Sequence, residues 1–229
     1  MDVNGADDEV SGETALHRIC SSGYDHLLPF LLNHPDIDVN VKNNSGHTPF
    51  VVACKSGKFQ CVRQLLMDSR VRVNDGNSGG TALHVVSSYG SNHCLHLLLS
   101  HPDIDVNLKH QSGYTPFMVA CQNGNIQCIR SLLKDGRVFI SEPDQSGISP
   151  LYYAAQNAKE GVVQWIIASG RSDIDLGEPG NPQTDVIGIF SKSVSNGPSI
   201  LSQLMNFKSD PAATVQGARS LLDISGEPH

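Results

Sequence analysis

Residues 34–57, HPDIDVNVKNNSGHTPFVVACKSG, occur a second time at 101–124 as HPDIDVNLKHQSGYTPFMVACQNG. The two stretches start at His34 and His101 and are identical at 17 of 24 positions. An identity this dense at a fixed offset indicates internal repetition, which bears on the fold before any local motif is interpreted.

The repeating unit is about half as long as the distance in sequence between His34 and His101. A Thr or Ser, then Ala or Pro, then a large apolar residue recurs at near-constant intervals along the chain. These triplets begin at Thr14, Thr48, Thr81, Thr115 and Ser149. A glycine stands two residues before each triplet, at Gly12, Gly46, Gly79, Gly113 and Gly147. A second glycine stands nine residues after the first four triplets start, at Gly23, Gly57, Gly90 and Gly124.

Each repeated position predicts an element of local structure. The Thr or Ser hydroxyl is suited to cap a helix, and proline next to it fits the first helical position. The glycine nine residues on is typical of a left-handed helix end, so this first helix is two turns long. A second helix follows, with apolar residues at helical spacing in stretches such as GKFQCVRQLLMD (57–68). A polar, hairpin-like connection then leads to the next glycine, which supplies a positive φ.

With this unit length, this helix start and this two-helix-plus-hairpin plan, the chain resembles ankyrin-repeat proteins over about residues 12–176. The resemblance implies a mainly all-α solenoid of helix-turn-helix units joined by hairpin-like loops. His17 and His84 match the histidine that bonds within the repeat in this family. Val51, Met118 and Tyr152 replace it in the other repeats.

The repeat frame also predicts the domain organisation. Residues 1–11 are interpreted as the acidic remnant of a preceding repeat, because Asp2-Val3-Asn4 resembles the end of a unit, so the chain starts in mid-repeat. An ankyrin domain is predicted over 12–208, with units near 12–45, 46–78, 79–112, 113–146 and 147–181 and a degenerate cap at 182–208. Residues 209–229 are a tail, either a short helix from Asp210 to Leu222 or loose chain.

Two residues depart from the pattern. Pro29 falls inside the predicted second helix of the first repeat, where the loss of a backbone hydrogen bond would cost around 3 kcal/mol at a truly interior position. Ala158 replaces the helix-ending glycine of the fifth repeat, which indicates an atypical unit.

Charge and composition exclude several classes of partner. The net charge is −7, and five of the acids lie in residues 1–13, which leaves 18 acids against 16 bases, or −2, in the rest. Such a body has little charge with which to attract nucleic acid or a membrane surface. No apolar run reaches the roughly 20 residues of a membrane span, and the acidic N-terminus is unlike a secretory signal. We expect an intracellular, cytoplasmic monomer.

The six cysteines fall in two columns of the repeat. Cys20, Cys54 and Cys121 stand six residues after the Thr, and Cys61, Cys94 and Cys128 stand thirteen after it. Small core residues explain both columns, and there is no Cys-x-x-Cys pair, so buried free thiols in a reducing compartment are predicted rather than zinc or disulfides.

Catalysis and metal binding find no support in the sequence. His93 and His96 could share a helix face, but no third ligand accompanies them, and surface roles are favoured. No catalytic motif or phosphate-binding loop is present. The prediction is therefore a protein that is not an enzyme and has no metal and no cofactor.

The ankyrin resemblance implies a scaffold that binds a protein partner through the concave face of hairpin tips and first helices. In this chain the corresponding residues differ between repeats while the framework stays constant, although drift at unconstrained positions explains that contrast about as well. The predicted partner-binding residues are Asn44, His47, Lys55, Asn77, Ser88, Tyr89, Gln111, Tyr114, Gln122, Asn123, Gln145, Ile148 and Gln156. Tyr89, Tyr114 and Ile148 are the most informative, because aromatic and apolar groups favour interface hot spots.

Other interpretations stay open. The chain is alternatively a regulatory fragment of a larger polypeptide, or an enzyme subunit with activity in 177–229, which is disfavoured because that segment offers only His229 and a few carboxylates. Asn40, Asn74 and Asn107 match hydroxylation targets of the family, but hydrogen bonding within their own turn is the favoured role. Trp165 is predicted to pack against the cap.

Overall fold

The computed structural model describes residues 2–7, 10–193 and 198–222, which form thirteen helices and one short strand pair. The first helices of the five repeats are α1 (Ala15–Ser22), α3 (Pro49–Lys55), α5 (Ala82–Tyr89), α7 (Pro116–Asn123) and α9 (Pro150–Gln156). The second helices are α2 (Leu28–Leu32), α4 (Phe59–Leu66), α6 (Asn92–Ser100), α8 (Ile126–Lys134) and α10 (Glu160–Ser169). Three more follow, α11 (Val186–Ser193), α12 (Pro198–Phe207) and α13 (Pro211–Leu221). The predicted mainly α-helical fold of paired helices is confirmed.

The predicted caps are present at the starts of the first helices. The side-chain oxygens of Thr48, Thr115 and Ser149 accept hydrogen bonds from the backbone N–H three residues on, at 3.2–3.3 Å. Proline follows each of these caps as the first helical residue, where its missing N–H costs nothing. These hydroxyls are buried, so the cap replaces water that cannot reach the helix end.

The glycines that end the first helices adopt the predicted left-handed backbone, with φ of 63–80° at Gly23, Gly57, Gly90 and Gly124. The prediction for Gly79 is wrong, because Gly80 carries the positive φ of 112° in that loop. The interval from Thr48 to Thr81 is one residue shorter than the interval from Thr14 to Thr48. The shortened loop forms a strand pair, β1 (Gly76–Asn77) with β2 (Gly80–Thr81), and the missing residue shifts the turn by one position.

Pro29 does not lie in a helix interior, which corrects the sequence-based prediction. It stands in the first turn of α2, a helix of only five residues that begins at Leu28. The preceding residues form a turn in which the Leu28 N–H donates to the Asp25 carbonyl. The second helix of the first repeat is therefore shortened at the proline rather than interrupted by it.

The chain divides into two compact parts, Met1–Gln111 and Ser112–His229. In the first part α1 packs on α3, α3 on α5, and α4 on α6. In the second part α7 packs on α9, α9 on α11, and α8 on α10. Helices of seven to ten residues are marginal alone, so these contacts between successive repeats supply most of their stability.

Asparagines near the end of the repeats form a clamp to the next repeat, which corrects the prediction of bonds within their own turn. Asn40 donates through Nδ2 to the Arg70 carbonyl at 2.8 Å and accepts through Oδ1 from the Arg72 N–H at 2.9 Å. Asn74 makes the same pair of bonds to Asp103 and Asp105. We call this pair of bonds the asparagine clamp. In the fourth repeat Ser141 takes its place, donating to the Asp173 carbonyl and accepting from the Asp175 N–H.

The C-terminal helices complete the second compact part. Asp185 caps α11 by accepting from the Gly188 N–H at 2.9 Å. Helix α13 packs on α10 and α12, and Arg219 donates to the Ala168 carbonyl at 2.9 Å, so 211–221 of the predicted tail is ordered helix. Residues 1, 8 and 9 of the predicted acidic remnant, 194–197 of the predicted cap and 223–229 of the tail lie outside the described residues.

The helix ends of the second and fifth repeats give a reciprocal test of backbone strain. Ala158 stands at φ 52°, which an L-residue adopts at a cost of roughly 1 kcal/mol. Gly57 stands at φ 63°, and an added Cβ would meet Ser91 Oγ at an ordinary contact distance of 3.9 Å. We expect Ala158→Gly to raise the free energy of unfolding by about 0.5–1 kcal/mol and Gly57→Ala to lower it by a similar amount, both measured by urea denaturation. Shifts of the same sign for both variants would contradict this account.

Candidate partner-binding surface

The predicted binding residues lie at two kinds of site, in the loops before the first helices and at the C-terminal ends of those helices. The compact part Met1–Gln111 holds Asn44, His47, Lys55, Asn77, Ser88, Tyr89 and Gln111. The part Ser112–His229 holds Tyr114, Gln122, Asn123, Gln145, Ile148 and Gln156. Each set is described within its own part.

The loop asparagines tie successive loops together. Asn44 donates through Nδ2 to the Val10 carbonyl at 3.0 Å, and Asn77 donates in the same way to the Ser45 carbonyl at 2.7 Å. The loops approach so closely that a Cβ on Gly12 would lie 2.9 Å from the Asn44 nitrogen. Gln111 continues the series, since its N–H donates to the Ser78 carbonyl. The side chains of Asn44 and Asn77 therefore stabilise the loops that carry the surface.

His47 is linked to the first repeat through a buried histidine. The Thr14 N–H donates to His17 Nδ1 at 3.3 Å, and the Thr14 hydroxyl lies 3.0 Å from the same nitrogen. Because Nδ1 accepts, the ring proton lies on Nε2, which donates to the His47 carbonyl at 2.9 Å. The family's histidine thus bonds within its repeat, as the resemblance implied, and also reaches the next loop. His84 makes the same contacts to Thr81.

The ends of α3 and α5 each present an exposed residue of the predicted set in Met1–Gln111. Lys55 is exposed in the last turn of α3. Tyr89, the last residue of α5, is 60% exposed although it is large and aromatic. Ser88 beside it is half-buried. An exposed tyrosine next to a helix end is a suitable anchor for a protein partner, because it brings large contact area at little cost in side-chain entropy.

In Ser112–His229, Tyr114 belongs to a hydrogen-bond relay. Its hydroxyl lies 2.9 Å from the Tyr153 hydroxyl, which donates to Asp144 Oδ2 at 2.8 Å, and the two rings are 5.2 Å apart. Asp144 is buried, and its Oδ1 accepts from the Ser146 and Ile148 N–H groups. Burial and these hydroxyl and carboxylate neighbours raise the pKa of Tyr153, so its proton stays in place. The relay fixes the orientation of the Tyr114 ring.

Sequence reasoning missed Tyr153 and Asp144. Tyr153 stands four residues after the Ser149 cap, where the second, third and fourth repeats have Val52, Val85 and Val119. A tyrosine at a position that holds valine in three other repeats could have been noticed in the sequence. Its hydrogen-bond partners could not, because they depend on the loop geometry. The other predicted residues here include Gln145 and Gln156, both exposed, and Ile148 and Gln122, both half-buried. Asn123 donates to the Val119 carbonyl of its own helix.

The cysteines and histidines that were considered for metal binding lie in surroundings typical of structural residues. All six cysteines are free and buried, and burial raises the pKa of every thiol, that of Cys128 to about 11. His93 and His96 are exposed on α6, and among the described residues no three His, Cys, Asp or Glu side chains are placed to hold a metal ion. Trp165 lies under the Arg130 guanidinium at 4.4 Å, a contact with the preceding second helix that the sequence did not predict.

The Tyr153 hydroxyl gives a first test of this surface. We expect Tyr153→Phe to lower the free energy of unfolding by about 1–3 kcal/mol, because a buried carboxylate loses its donor. Tyr114→Phe is the matched control, since Tyr153 keeps its bond to Asp144, and its cost should stay below about 1 kcal/mol. Urea denaturation of both variants measures the difference, and equal costs would show that the relay does not support Asp144.

The buried histidine gives a pH prediction. Burial lowers the pKa of His17, so the unfolded chain takes up this proton at a higher pH than the folded chain does. The stability that neutral His17 supplies is present above about pH 6.5 and is lost as the pH falls below that value. The pKa values of His47 and His110 are lowered too and act in the same direction. We expect His17→Gln to flatten the fall in urea-denaturation midpoint between pH 7.5 and 5.5, and an unchanged slope would refute this role.

Comparison with known protein families identifies the same repeats. The family model described as "Ankyrin repeats (3 copies)" matches residues 1–77 and 83–177. In the described residues no helix has the length and apolar character needed to cross a bilayer.

Similarity to whole proteins is confined to part of each. "SMC5-SMC6 complex localization factor protein 1" of Bos taurus is 39% identical over 100 residues, 43% of this chain and 10% of that protein. The human protein of the same name is 41% identical over 93 residues, 40% of this chain and 9% of that protein. "Target of rapamycin complex 2 subunit AVO2" of Saccharomyces cerevisiae is 30% identical over 108 residues, 46% of this chain and 25% of that protein. The chain thus spans between about a tenth and a quarter of the length of these relatives.

Proposed function

The chain belongs to the ankyrin-repeat family, and we propose that it binds a protein partner through its hairpin tips and the ends of its first helices, the concave face of such repeats. The ankyrin repeat is a non-catalytic interaction module, and this chain shares that module. We assign the thirteen predicted residues to this contact, with Tyr89 as the anchor in Met1–Gln111 and Tyr114 as the anchor in Ser112–His229.

The observation that carries the proposal is the contrast between fixed and variable positions in each repeat. The capping Thr and Ser residues are buried throughout. Seven residues after the cap, by contrast, the side chain changes from Lys55 to Ser88, Gln122 and Gln156 in the second to fifth repeats, and Lys55 and Gln156 are exposed. The position after it holds the exposed Tyr89 in the third repeat. A constant framework that presents different side chains from each repeat supports recognition of an extended partner segment. Specificity then comes from the polar side chains and affinity from the aromatic ones.

The relatives support a place in a multiprotein assembly. One is named for the localization of a complex and another as a subunit of a complex. We extend this to the present chain, as a module that connects one protein to a larger assembly. The buried free thiols and the near-neutral body support an intracellular protein partner rather than nucleic acid or membrane.

Replacement of both anchors tests the proposal. We expect Tyr89→Ala with Tyr114→Ala to weaken binding of the captured partner at least thirtyfold, because truncation of one interface anchor typically costs about 2 kcal/mol or more. The measurement is affinity capture from an extract of the source cells with the full chain as bait, followed by titration of the purified partner. Tyr24→Ala is the matched control, since Tyr24 is 54% exposed but lies before a second helix.

Site-specific photocrosslinking locates the contact. A crosslinking residue at Lys55 or Gln156 should label the partner, whereas one at Arg63 on a second helix should not. Retention of every captured partner by the double variant, or labelling from Arg63 alone, would place the partner on another surface.

A further inference from the structure

The loop that holds Asp144 needs an oxygen acceptor but not a negative charge. Asp144 stands five residues before the capping Ser149, as Asn43 stands before Thr48. Asn43 Oδ1 accepts from the backbone N–H groups two and four residues on, both at 3.0 Å. Asp144 Oδ1 makes the same two bonds at 2.8 and 2.9 Å. An asparagine would therefore serve this loop, and the second oxygen and the charge of Asp144 have a different use.

That use is the contact with Tyr153, whose hydroxyl donates to Asp144 Oδ2 at 2.8 Å. Tyr153 stands four residues after Ser149, where the second, third and fourth repeats have valine. Asp144 and Tyr153 are each only 8% exposed, so the carboxylate acts on the hydroxyl with little screening by water. A charge and a hydroxyl, neither of which the repeat framework needs, thus meet in one place.

The number of protons in the relay sets the direction of each hydrogen bond. A tyrosine hydroxyl has one proton to donate, and an ionised carboxylate has none. Tyr153 gives its proton to Asp144, so its oxygen accepts in the 2.9 Å contact with Tyr114. Tyr114 therefore directs its own proton inward. It is the half-buried member of the three, and its oxygen offers a partner lone pairs rather than a proton.

The charge of Asp144 determines which donor suits that oxygen. The six predicted binding residues of Ser112–His229 are all uncharged, namely Tyr114, Gln122, Asn123, Gln145, Ile148 and Gln156. Two short hydrogen bonds join the Tyr114 oxygen to the carboxylate, and a charge at the end of such a chain polarises it. A cationic donor is therefore favoured at Tyr114, whereas a carboxylate of the partner would meet a like charge and no proton.

We propose that the Tyr114 hydroxyl selects a lysine or arginine side chain in an extended segment of the partner, and that Tyr153 and Asp144 are the positioning residues that give it this preference. This rests on the proposed function, because it names the chemistry that one of the two anchors recognises. The Tyr114 ring supplies apolar contact, and its hydroxyl determines which side chain is accepted.

Asp144→Asn reverses the relay while keeping its shape. The amide oxygen still accepts from the loop, as that of Asn43 does, and the amide nitrogen donates to Tyr153. Tyr153 then donates to Tyr114, whose proton turns to the partner. We expect this variant to lose the preference for a basic side chain and to accept a carboxylate better than the unaltered chain does.

Random peptides displayed on phage and selected on the full chain are the probe. We expect Lys or Arg to recur at one position of those peptides whose binding Tyr114→Ala weakens. Synthetic peptides with Lys at that position should bind about tenfold or more tighter than those with Glu, and Asp144→Asn should reduce this ratio to near one. Glu160→Gln, which removes the same charge from a second helix, is the matched control and should leave the ratio unchanged.

Tyr114→Phe keeps the test decisive if Asp144→Asn does not fold, since it retains the ring and removes only the hydroxyl. It should also abolish the preference for Lys. A ratio that folded Asp144→Asn or Tyr114→Phe leaves unchanged would overturn the inference. Peptides that depend on Tyr114 but carry no recurring basic residue would also overturn it and leave the proposed function standing. If Tyr114→Ala weakens none of the selected peptides, the proposed function fails at this anchor as well.

Discussion

A helix of seven or eight residues is too short to persist alone in water, and every first helix of this chain has that length. Each one depends on the repeat beside it, as α3 does on α1 and α5 within Met1–Gln111. Buried hydroxyl caps, left-handed glycines and clamps between repeats all serve this constraint, since each satisfies backbone groups that a lone helix pair would leave open. Loss of packing in one repeat is therefore felt by its neighbours.

Features that belong to a single repeat could be predicted from the sequence. The positions of Thr48 and Pro49 specify a helix start, and Gly57 specifies its end, because capping depends on residues a few positions apart. Features that join two repeats could not be predicted from the sequence. The asparagine clamp joins atoms from two successive repeats, and the turn moved to Gly80 because one deleted residue changed the loop. Pro29 was misplaced because its helix begins three residues later than the frame indicated.

The same distinction, between what one repeat specifies and what contacts between residues specify, applies to the candidate binding surface. Alignment of the repeats indicated which side chains vary, and Tyr89 is indeed exposed at its helix end. It could not indicate that Asn44 and Asn77 bond to neighbouring loops, nor that Tyr114 is oriented through Tyr153 by a buried carboxylate. Variability in sequence thus marks both positions that are open to a partner and positions that hold the loops. Only the contacts distinguish the two.

The clamps also determine how the chain bears mechanical load. Asn40 joins its neighbour with two separate atoms, so that a tensile force across that junction is shared by two hydrogen bonds in parallel. At Ser141 a single oxygen both donates and accepts, and the two bonds pull on the same short side chain. Tension across the Asn40 junction is therefore carried by two atoms, whereas at Ser141 it converges on one oxygen. The exchange of an amide for a hydroxyl changes how that junction distributes a pulling force.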